Sequence, residues 1–352
     1  MIINIPKSDI RFCLVGSGKP CVDFTRLLIK NGFAKPIIVT WNKTLHRRDQ
    51  IILKDTKNYE DIFLFSSENN IEVIETDNVN NWSVIELLKK RRINIIFSIK
   101  SRWIIKDYFI NEFNGLVLNI HQGDLPVERG SAIYQRIMNN NEIIGVTLHL
   151  VSSTVDGGNI LYKKTQKVDS ESPTIDLVNS INMKLSNEIF KDFISDLING
   201  KEILEHKQDN EASIFMPQFF TETNGAIDWS WSAKEIECFI RAFGPPMPGA
   251  FTFYKGKRIS LLKANIEKTN QKYHSYFNGR VVTLNNNGSM RIITKDDYLI
   301  VSNVKYGEFI GSPSKIIRMN SFAVLYTPMP ILNKARTEFK HSLKMPPPFE
   351  EK

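Results

Sequence analysis

The chain has 352 residues, enough for two domains of ordinary size, and 42% of them are hydrophobic, enough for a sizeable core. Its formal net charge of +8 comes from scattered Lys and Arg residues, which suits an anionic partner and equally suits a solvated basic surface. The three cysteines form no C-x-x-C pair, which argues against a disulfide framework or a structural zinc site. No apolar run approaches the roughly 18 residues of a membrane span, and the N-terminus has no secretory pattern. We therefore expect a cytoplasmic protein that does not enter a membrane.

The first part of the chain alternates between short apolar runs and amphipathic segments. Strands are predicted over residues 10–15, 37–40, 71–74 and 94–99, and helices over 21–30, 82–90 and 104–113. This alternation is typical of an α/β fold with a mostly parallel, Rossmann-like sheet. In such folds, sites are built where the carboxyl ends of the strands meet.

Three loops of this part carry charged residues. The turn after the first strand lacks the third glycine of a dinucleotide-binding fingerprint, and we expect Gly18 and Lys19 to lie near an anionic group of a substrate, unless they form only a tight turn. Lys100 and Arg102 follow the fourth strand, where a basic pair suits a diphosphate, although two solvated charges fit as well. Residues 41–61 mix both signs of charge and are predicted to form a lid or a surface loop.

The most informative stretch lies between residues 115 and 158. An apolar run delivers Asn119 and His121 to a loop, and strand alternation points both side chains the same way. A second apolar run, 146–151, ends in a loop that carries Asp156. An amide that donates to a developing oxyanion, an imidazole that moves a proton and a carboxylate that orients the imidazole together suit acyl transfer. No Ser or Cys offers a nucleophile here, so direct transfer to an incoming amine fits better than a covalent enzyme intermediate.

The rest of the first predicted domain, residues 1–205, contains ordinary helices and strands. Its further elements are predicted as helices over 131–139 and 174–199 and strands over 146–151 and 160–168. His149 lies inside an apolar strand, and we interpret it as a structural residue rather than a catalytic one.

A smaller second domain is predicted over residues 226–320, after a linker of residues 206–225. It begins with a helix whose capping box pairs Ser232 with Glu235. The short strands and Gly-rich turns that follow are typical of a small OB-like β-barrel. The Pro-rich tail, residues 321–352, is expected to be an irregular extension.

Several motifs carry a resemblance to a known family. In chain order they are N-I-H, L-P-x-x-R-G, G-V-T-L-H and D-G-G, followed in the second domain by I-D-W, R-A and P-G-A. This series resembles the folate-dependent formyltransferase superfamily. The resemblance implies 10-formyltetrahydrofolate as the formyl donor, an amine as the acceptor and no metal, with Asn119, His121 and Asp156 as the catalytic residues. The chain departs from the family where Asp124 replaces a common Leu and Ile133 replaces a Pro.

The resemblance also implies binding residues. Those expected to contact the pterin are Ile99, Lys100, Ser101, Val151, Ser152, Thr154 and Val155. Those expected to contact the acceptor substrate are Gly18, Lys19, Lys100, Arg102, Gln122 and Arg129.

Three hypotheses about function follow from these residues. The chain is most like nucleotide-sugar N-formyltransferases, which would formylate a dTDP- or UDP-linked amino deoxysugar for surface polysaccharide. The alternative is a methionyl-tRNA formyltransferase, with tRNA as partner, but the 41–61 segment is not cleanly basic. A third hypothesis is a nucleic-acid-binding protein that has lost catalysis, and the intact Asn, His and Asp argue against it. The sequence leaves open whether the protein forms a homodimer.

Overall fold

The computed structural model describes residues 2–168, 173–318 and 323–339. The strands of its first part are β1 (Phe12–Gly16), β2 (Ile37–Thr40), β3 (Val73–Glu75), β4 (Ile95–Ile99), β5 (Val117–His121), β6 (Glu128–Gly130), β7 (Ile143–Leu150), β8 (Ile160–Lys167) and β9 (Ile214–Met216). The helices of this part are α1 (Gly18–Lys30), α2 (Arg47–Leu53), α3 (Ile62–Glu68), α4 (Trp82–Lys90), α5 (Asp107–Glu112), α6 (Ala132–Met138), α7 (Ile175–Ile198) and α8 (Thr221–Asn224). The predicted strands and helices are confirmed, with most ends shifted by one to three residues.

One sheet organises this part, in the order β3-β2-β1-β4-β5-β7-β8. The strands from β3 to β5 are parallel, whereas β5–β7 and β7–β8 are antiparallel. Strands β1, β2 and β4 are buried along their whole length, because helices cover both faces of the sheet. The predicted Rossmann-like, mostly parallel sheet is confirmed.

Two details differ from the sequence prediction. Asn119 and His121 belong to β5 itself rather than to a loop beyond it, because the sheet pairing continues to His121. Helix α5 begins at Asp107, because the buried Asn80 side chain accepts from the Lys106 N–H and donates to the Ile104 carbonyl, which keeps that segment out of the helix.

The second part contains a curled antiparallel sheet. Its strands are β10 (Ala250–Tyr254), β11 (Lys257–Glu267), β12 (Val281–Leu284), β13 (Met290–Ile293), β14 (Tyr298–Tyr306), β15 (Phe309–Gly311) and β16 (Leu325–Tyr326). They follow the order β12-β13-β14-β11-β10-β16, with β15 beside β14. Helix α9 (Ala233–Ala242) packs against this sheet and begins with the predicted capping box of Ser232 and Glu235. This half-barrel agrees with the expected OB-like domain.

The segments called linker and tail contain regular structure. In the predicted linker, β9 pairs with β6, and α8 follows shortly after. In the predicted tail, β16 joins the second sheet and α10 (Met329–Thr337) packs on Phe251 through Leu332, so the expectation of an irregular extension is wrong for residues 325–337. The remaining tail residues, 321–322 and 340–352, lie outside the described residues.

A single large hydrophobic cluster links both parts. It runs from the parallel sheet through α7 to α9 and the second sheet. Within the described ranges, no helix combines the length and the apolar character that crossing a bilayer requires.

Candidate active site

A cleft of about 960 Å³ opens at the carboxyl edge of the parallel sheet. Its walls come from the loops after β1, β2 and β4, from the end of β5, from the loop after β7, and from the segment before α8. This is the edge at which α/β folds place their ligands. The volume falls within the usual range of small-molecule sites.

Asn119, His121 and Asp156 converge in this cleft. Asn119 Nδ2 lies 3.3 Å from Asp156 Oδ1, and His121 Nδ1 lies 3.5 Å from Asp156 Oδ2. Asp156 also accepts from the Gly130 N–H at 2.9 Å. The carboxylate therefore connects the amide, the imidazole and the loop that begins α6.

The His121 ring is held in one orientation. Its Nε2 lies 2.6 Å from the Glu128 carbonyl oxygen, which only accepts, so Nε2 carries the hydrogen and the neutral ring has its lone pair on Nδ1. Burial lowers the pKa of His121 below its ordinary 6.5, although the Asp156 carboxylate opposes that shift. At neutral pH, His121 is thus a neutral base whose free nitrogen lies beside Asp156.

Gly123 leaves room for this ring. A Cβ at that position would lie 2.1 Å from His121 Nε2 and 2.5 Å from the Glu128 carbonyl oxygen. The glycine at this position therefore fits the close approach of the backbone to the imidazole.

Asp156 is held in its ionised form. Burial opposes its ionisation, but the positive charge that the His121 and His149 rings carry when they are protonated, together with the Gly130 N–H, outweighs burial, so the pKa of Asp156 lies well below its ordinary value. Its backbone has a φ of +51°, in the left-handed region that Asp and Asn tolerate better than most residues. The Gln208 side chain donates to the Asp156 carbonyl at 2.8 Å and fixes this turn.

His149 belongs to the site, contrary to the expectation of a purely structural residue. It stands opposite Asn119 in the β5–β7 pairing, and its Nε2 lies 3.0 Å from Asn119 Nδ2. Its Nδ1 donates to the Leu150 carbonyl at 2.7 Å, so Nε2 of the neutral ring accepts and the Asn119 amide must present its N–H groups. His149 therefore positions Asn119, and only its strand pairing reveals this role.

A buried ion pair supports the His121 imidazole from behind. Arg136, 1% exposed, contacts the Glu128 carboxylate through Nε at 2.7 Å and through Nη2 at 2.5 Å. Arg136 also donates to the Gly145 carbonyl at 2.6 Å. This network fixes β6, whose Glu128 carbonyl orients His121.

We expect Arg136→Met to destabilise the protein by about 3–5 kcal/mol, because it leaves the Glu128 carboxylate buried without its partner. Urea unfolding monitored by circular dichroism measures the change. Arg91→Met, which removes an exposed pair with Glu72 on the protein surface, is the matched control and should behave like the parent protein. Equal midpoints for all three proteins would show that the buried pair contributes nothing.

Most of the other predicted site residues line the cleft. Those that do so are Gly18, Lys19, Lys100, Ser101, Arg102, Gln122, Val151, Ser152, Thr154 and Val155. Two do not. Ile99 is 1% exposed and its side chain belongs to the hydrophobic core, while the buried Arg129 guanidinium donates to Gln208 and Asn210, so neither side chain reaches a ligand directly.

Two aromatic walls were not singled out by sequence. Trp41 stacks on His46 with ring centroids 4.9 Å apart, and Phe63 packs edge-on to His46 at 5.0 Å. Phe219 and Phe220, from the predicted linker, line the cleft as well. The only sequence signal was the presence of aromatics among the charged residues of 41–63. Among the described residues, no group of three His, Cys, Asp or Glu is arranged to hold a metal ion.

Two family profiles match the chain. Residues 33–191 match the family described as "Formyl transferase", and residues 220–315 match "Formyl transferase, C-terminal domain". The chain belongs to the formyltransferase family. The expected family and enzyme class are therefore confirmed.

Individual relatives of this formyltransferase are distant. The methionyl-tRNA formyltransferase of Buchnera aphidicola subsp. Acyrthosiphon pisum is 24% identical over 76% of this chain and 81% of its own length. The sugar 3N-formyltransferase WlaRD, solved in the presence of dTDP and 5-N-formyl-THF, is 23% identical, with a TM-score of 0.60 over 83% of this chain and 97% of its own. An N-formyltransferase from Helicobacter canadensis, in complex with folinic acid and dTDP-3-aminofucose, is 21% identical, with a TM-score of 0.61 over 83% and 98%. At these identities the solved structures establish a shared fold.

Proposed function

We propose that this formyltransferase moves a formyl group from 10-formyltetrahydrofolate to the amino group of a dTDP- or UDP-linked amino deoxysugar. The observation that carries formyl transfer is the convergence of Asn119, His121 and Asp156 in one cleft. The sugar acceptor is supported by the mixed charge of residues 41–61 and by the solved sugar formyltransferases of the same fold. Both arguments favour a small anionic acceptor over a large RNA.

The loop after β7 has the character that a folate requires. Val151 packs on the core beneath the cleft, and Val155 exposes 37% of its surface beside Asp156. Apolar walls with backbone and hydroxyl groups between them suit a flat heterocycle whose edges form hydrogen bonds. We assign Ser101, Val151, Ser152, Thr154 and Val155 to folate binding, with Lys100 beside them.

In this proposal, three side chains act at the formyl carbon. The donor supplies a formyl carbon bonded to a nitrogen that departs during the reaction. His121 Nδ1 takes the proton that the acceptor amine loses as its nitrogen bonds to that carbon, and passes the proton to the departing nitrogen. Asn119 donates an N–H to the formyl oxygen as that oxygen gains negative charge. Asn119 Nδ2 contacts both His149 and Asp156. We expect the formyl oxygen to replace the longer contact, to Asp156 at 3.3 Å.

We expect the pH profile to identify the working form of His121. Because its pKa is lowered from 6.5, kcat/KM should stay level as the pH falls from about 8 and decline only below pH 6.5. The acceptor amine is titrated separately by NMR so that its own ionisation is subtracted. A rate that rises as the pH falls through 6.5 would instead mean that the protonated imidazole is the active form.

The direct experiment is an acceptor comparison. The purified protein is incubated with 10-formyltetrahydrofolate and a panel of dTDP- and UDP-linked amino deoxysugars, in parallel with charged initiator methionyl-tRNA, and products are detected by mass spectrometry. We expect N-formylated nucleotide sugar. The tRNA remains the alternative acceptor because curated methionyl-tRNA formyltransferases are among the relatives, and turnover of the tRNA alone would overturn the sugar assignment.

A further inference from the structure

Two arginines line the cleft from separate loops. Arg48 lies on α2, in the segment that follows β2, and Arg102 lies in the loop after β4. Each side chain is 13% exposed, so both guanidinium groups are largely removed from water. The sequence singled out Arg102 as a substrate residue but treated Arg48 as part of a surface segment.

Each guanidinium lies against an aromatic ring. Arg102 lies 4.5 Å from the centroid of the Trp41 ring, and Arg48 lies 5.6 Å from that of Phe220. Arginine stacks readily on aromatic faces while its planar edge remains available for hydrogen bonds. The two rings therefore restrict the directions in which the guanidinium groups can point.

The carboxylate partners of these arginines are placed less closely than in the strongest ion pairs. Arg102 Nη2 lies 3.5 Å from Asp49 Oδ2, and Arg48 Nη2 lies 3.2 Å from both carboxylate oxygens of Glu222. The strongest arginine–carboxylate pairs place two nitrogens against two oxygens at about 2.7–2.9 Å. A ligand with better geometry can therefore replace these carboxylates.

Both arginines line the same cleft, and the charge of Arg48 acts on Arg102. Burial lowers the pKa of Arg102, the Asp49 carboxylate opposes the shift, and the positive charge of Arg48 adds to it. Two partly buried positive charges that line one cleft attract a ligand that carries two negative charges.

We propose that Arg48 and Arg102 bind the diphosphate of the acceptor, and that Glu222 and Asp49 occupy the two guanidinium groups until the diphosphate replaces them. This proposal rests on the proposed function, in which the acceptor is linked to a nucleoside diphosphate. Glu222 lies on α8, within the part that matches the C-terminal family domain, and it is 174 residues from Arg48. The predicted linker thus holds a carboxylate, Glu222, against an arginine that lines the cleft.

The proposal predicts weaker diphosphate binding when an arginine is removed and stronger binding when a competing carboxylate is removed. Arg48→Ala and Arg102→Ala should each weaken binding of dTDP or UDP by about 10- to 100-fold, since each removes charge-assisted hydrogen bonds to phosphate. Glu222→Gln should strengthen it several-fold, because the competing negative charge is gone. Arg91→Ala, which removes an arginine from the exposed pair with Glu72, is the matched control and should bind like the parent protein.

Isothermal titration with dTDP, UDP and inorganic pyrophosphate measures these affinities, and circular dichroism confirms that each variant is folded. If Arg48→Ala does not fold, Arg48→Lys retains the charge without the planar fork and should still weaken binding. Unchanged affinity in both arginine variants overturns the diphosphate site, as does a parent protein that binds none of the three probes. Binding without formylation of any amino sugar would instead overturn the proposed function and leave this site standing.

Discussion

His121→Ala should lower kcat by about 100- to 10,000-fold, the range expected when a positioned general base is lost. The neutral ring donates from Nε2 to the Glu128 carbonyl, so in the proposed mechanism Nδ1 is the nitrogen that receives the proton of the acceptor amine. Because this variant leaves the residues assigned to binding of the nucleotide sugar unchanged, its dissociation constant should change far less than kcat. Steady-state kinetics and isothermal titration on the same preparation separate the two quantities.

The matched control for this variant is His206→Ala. The His206 side chain is exposed and its backbone bridges Ile160 at the edge of β8, away from the cleft. This control should keep nearly the parent rate. If folded His121→Ala also keeps more than a tenth of the parent rate, His121 is not the proton acceptor.

Asp156→Asn should lower kcat by about 100-fold or more while the chain still folds. Asn tolerates the φ of +51° at this position, so the turn is kept, but the negative charge that stabilises a protonated His121 is lost. The Asp156 carboxylate accepts a hydrogen bond from Asn119 on one oxygen and from Gly130 on the other. The substituted Asn has only one side-chain oxygen and cannot accept both hydrogen bonds in the same way. We therefore expect a loss of about 1–3 kcal/mol in unfolding free energy as well.

A comparison of kcat with stability distinguishes these two effects of Asp156→Asn. Rates are measured well below the unfolding midpoint, so that the destabilised variant remains fully folded. Asp192→Asn, which changes an exposed carboxylate on α7 paired with Lys164, is the control and should affect neither quantity. A folded Asp156→Asn protein with a near-normal rate would contradict the assigned role of the carboxylate.

The identity of the three catalytic candidates was readable from the sequence for a local reason. Asn119 and His121 are two residues apart at the end of an apolar run, and a strand places such residues on one side. Asp156 lies in a loop before two glycines, where the next apolar run has ended. Chain order and residue type were therefore sufficient to place all three at one edge of the sheet, and the structure brings the Asn119 amide and the His121 imidazole within 3.5 Å of the Asp156 carboxylate.

What the sequence determined was the periodicity of each segment, and hence the strands, the helices and the strand ends that carry Asn119, His121 and Asp156. What only the tertiary structure decided was which distant segments meet. His149 became a partner of Asn119 because β5 and β7 pair antiparallel in one particular register, and Arg48 met Glu222 because the predicted linker folds back along the cleft. Periodicity is a property of neighbouring residues, whereas register and docking are fixed by burying apolar surface across the whole chain, so no local pattern encodes them.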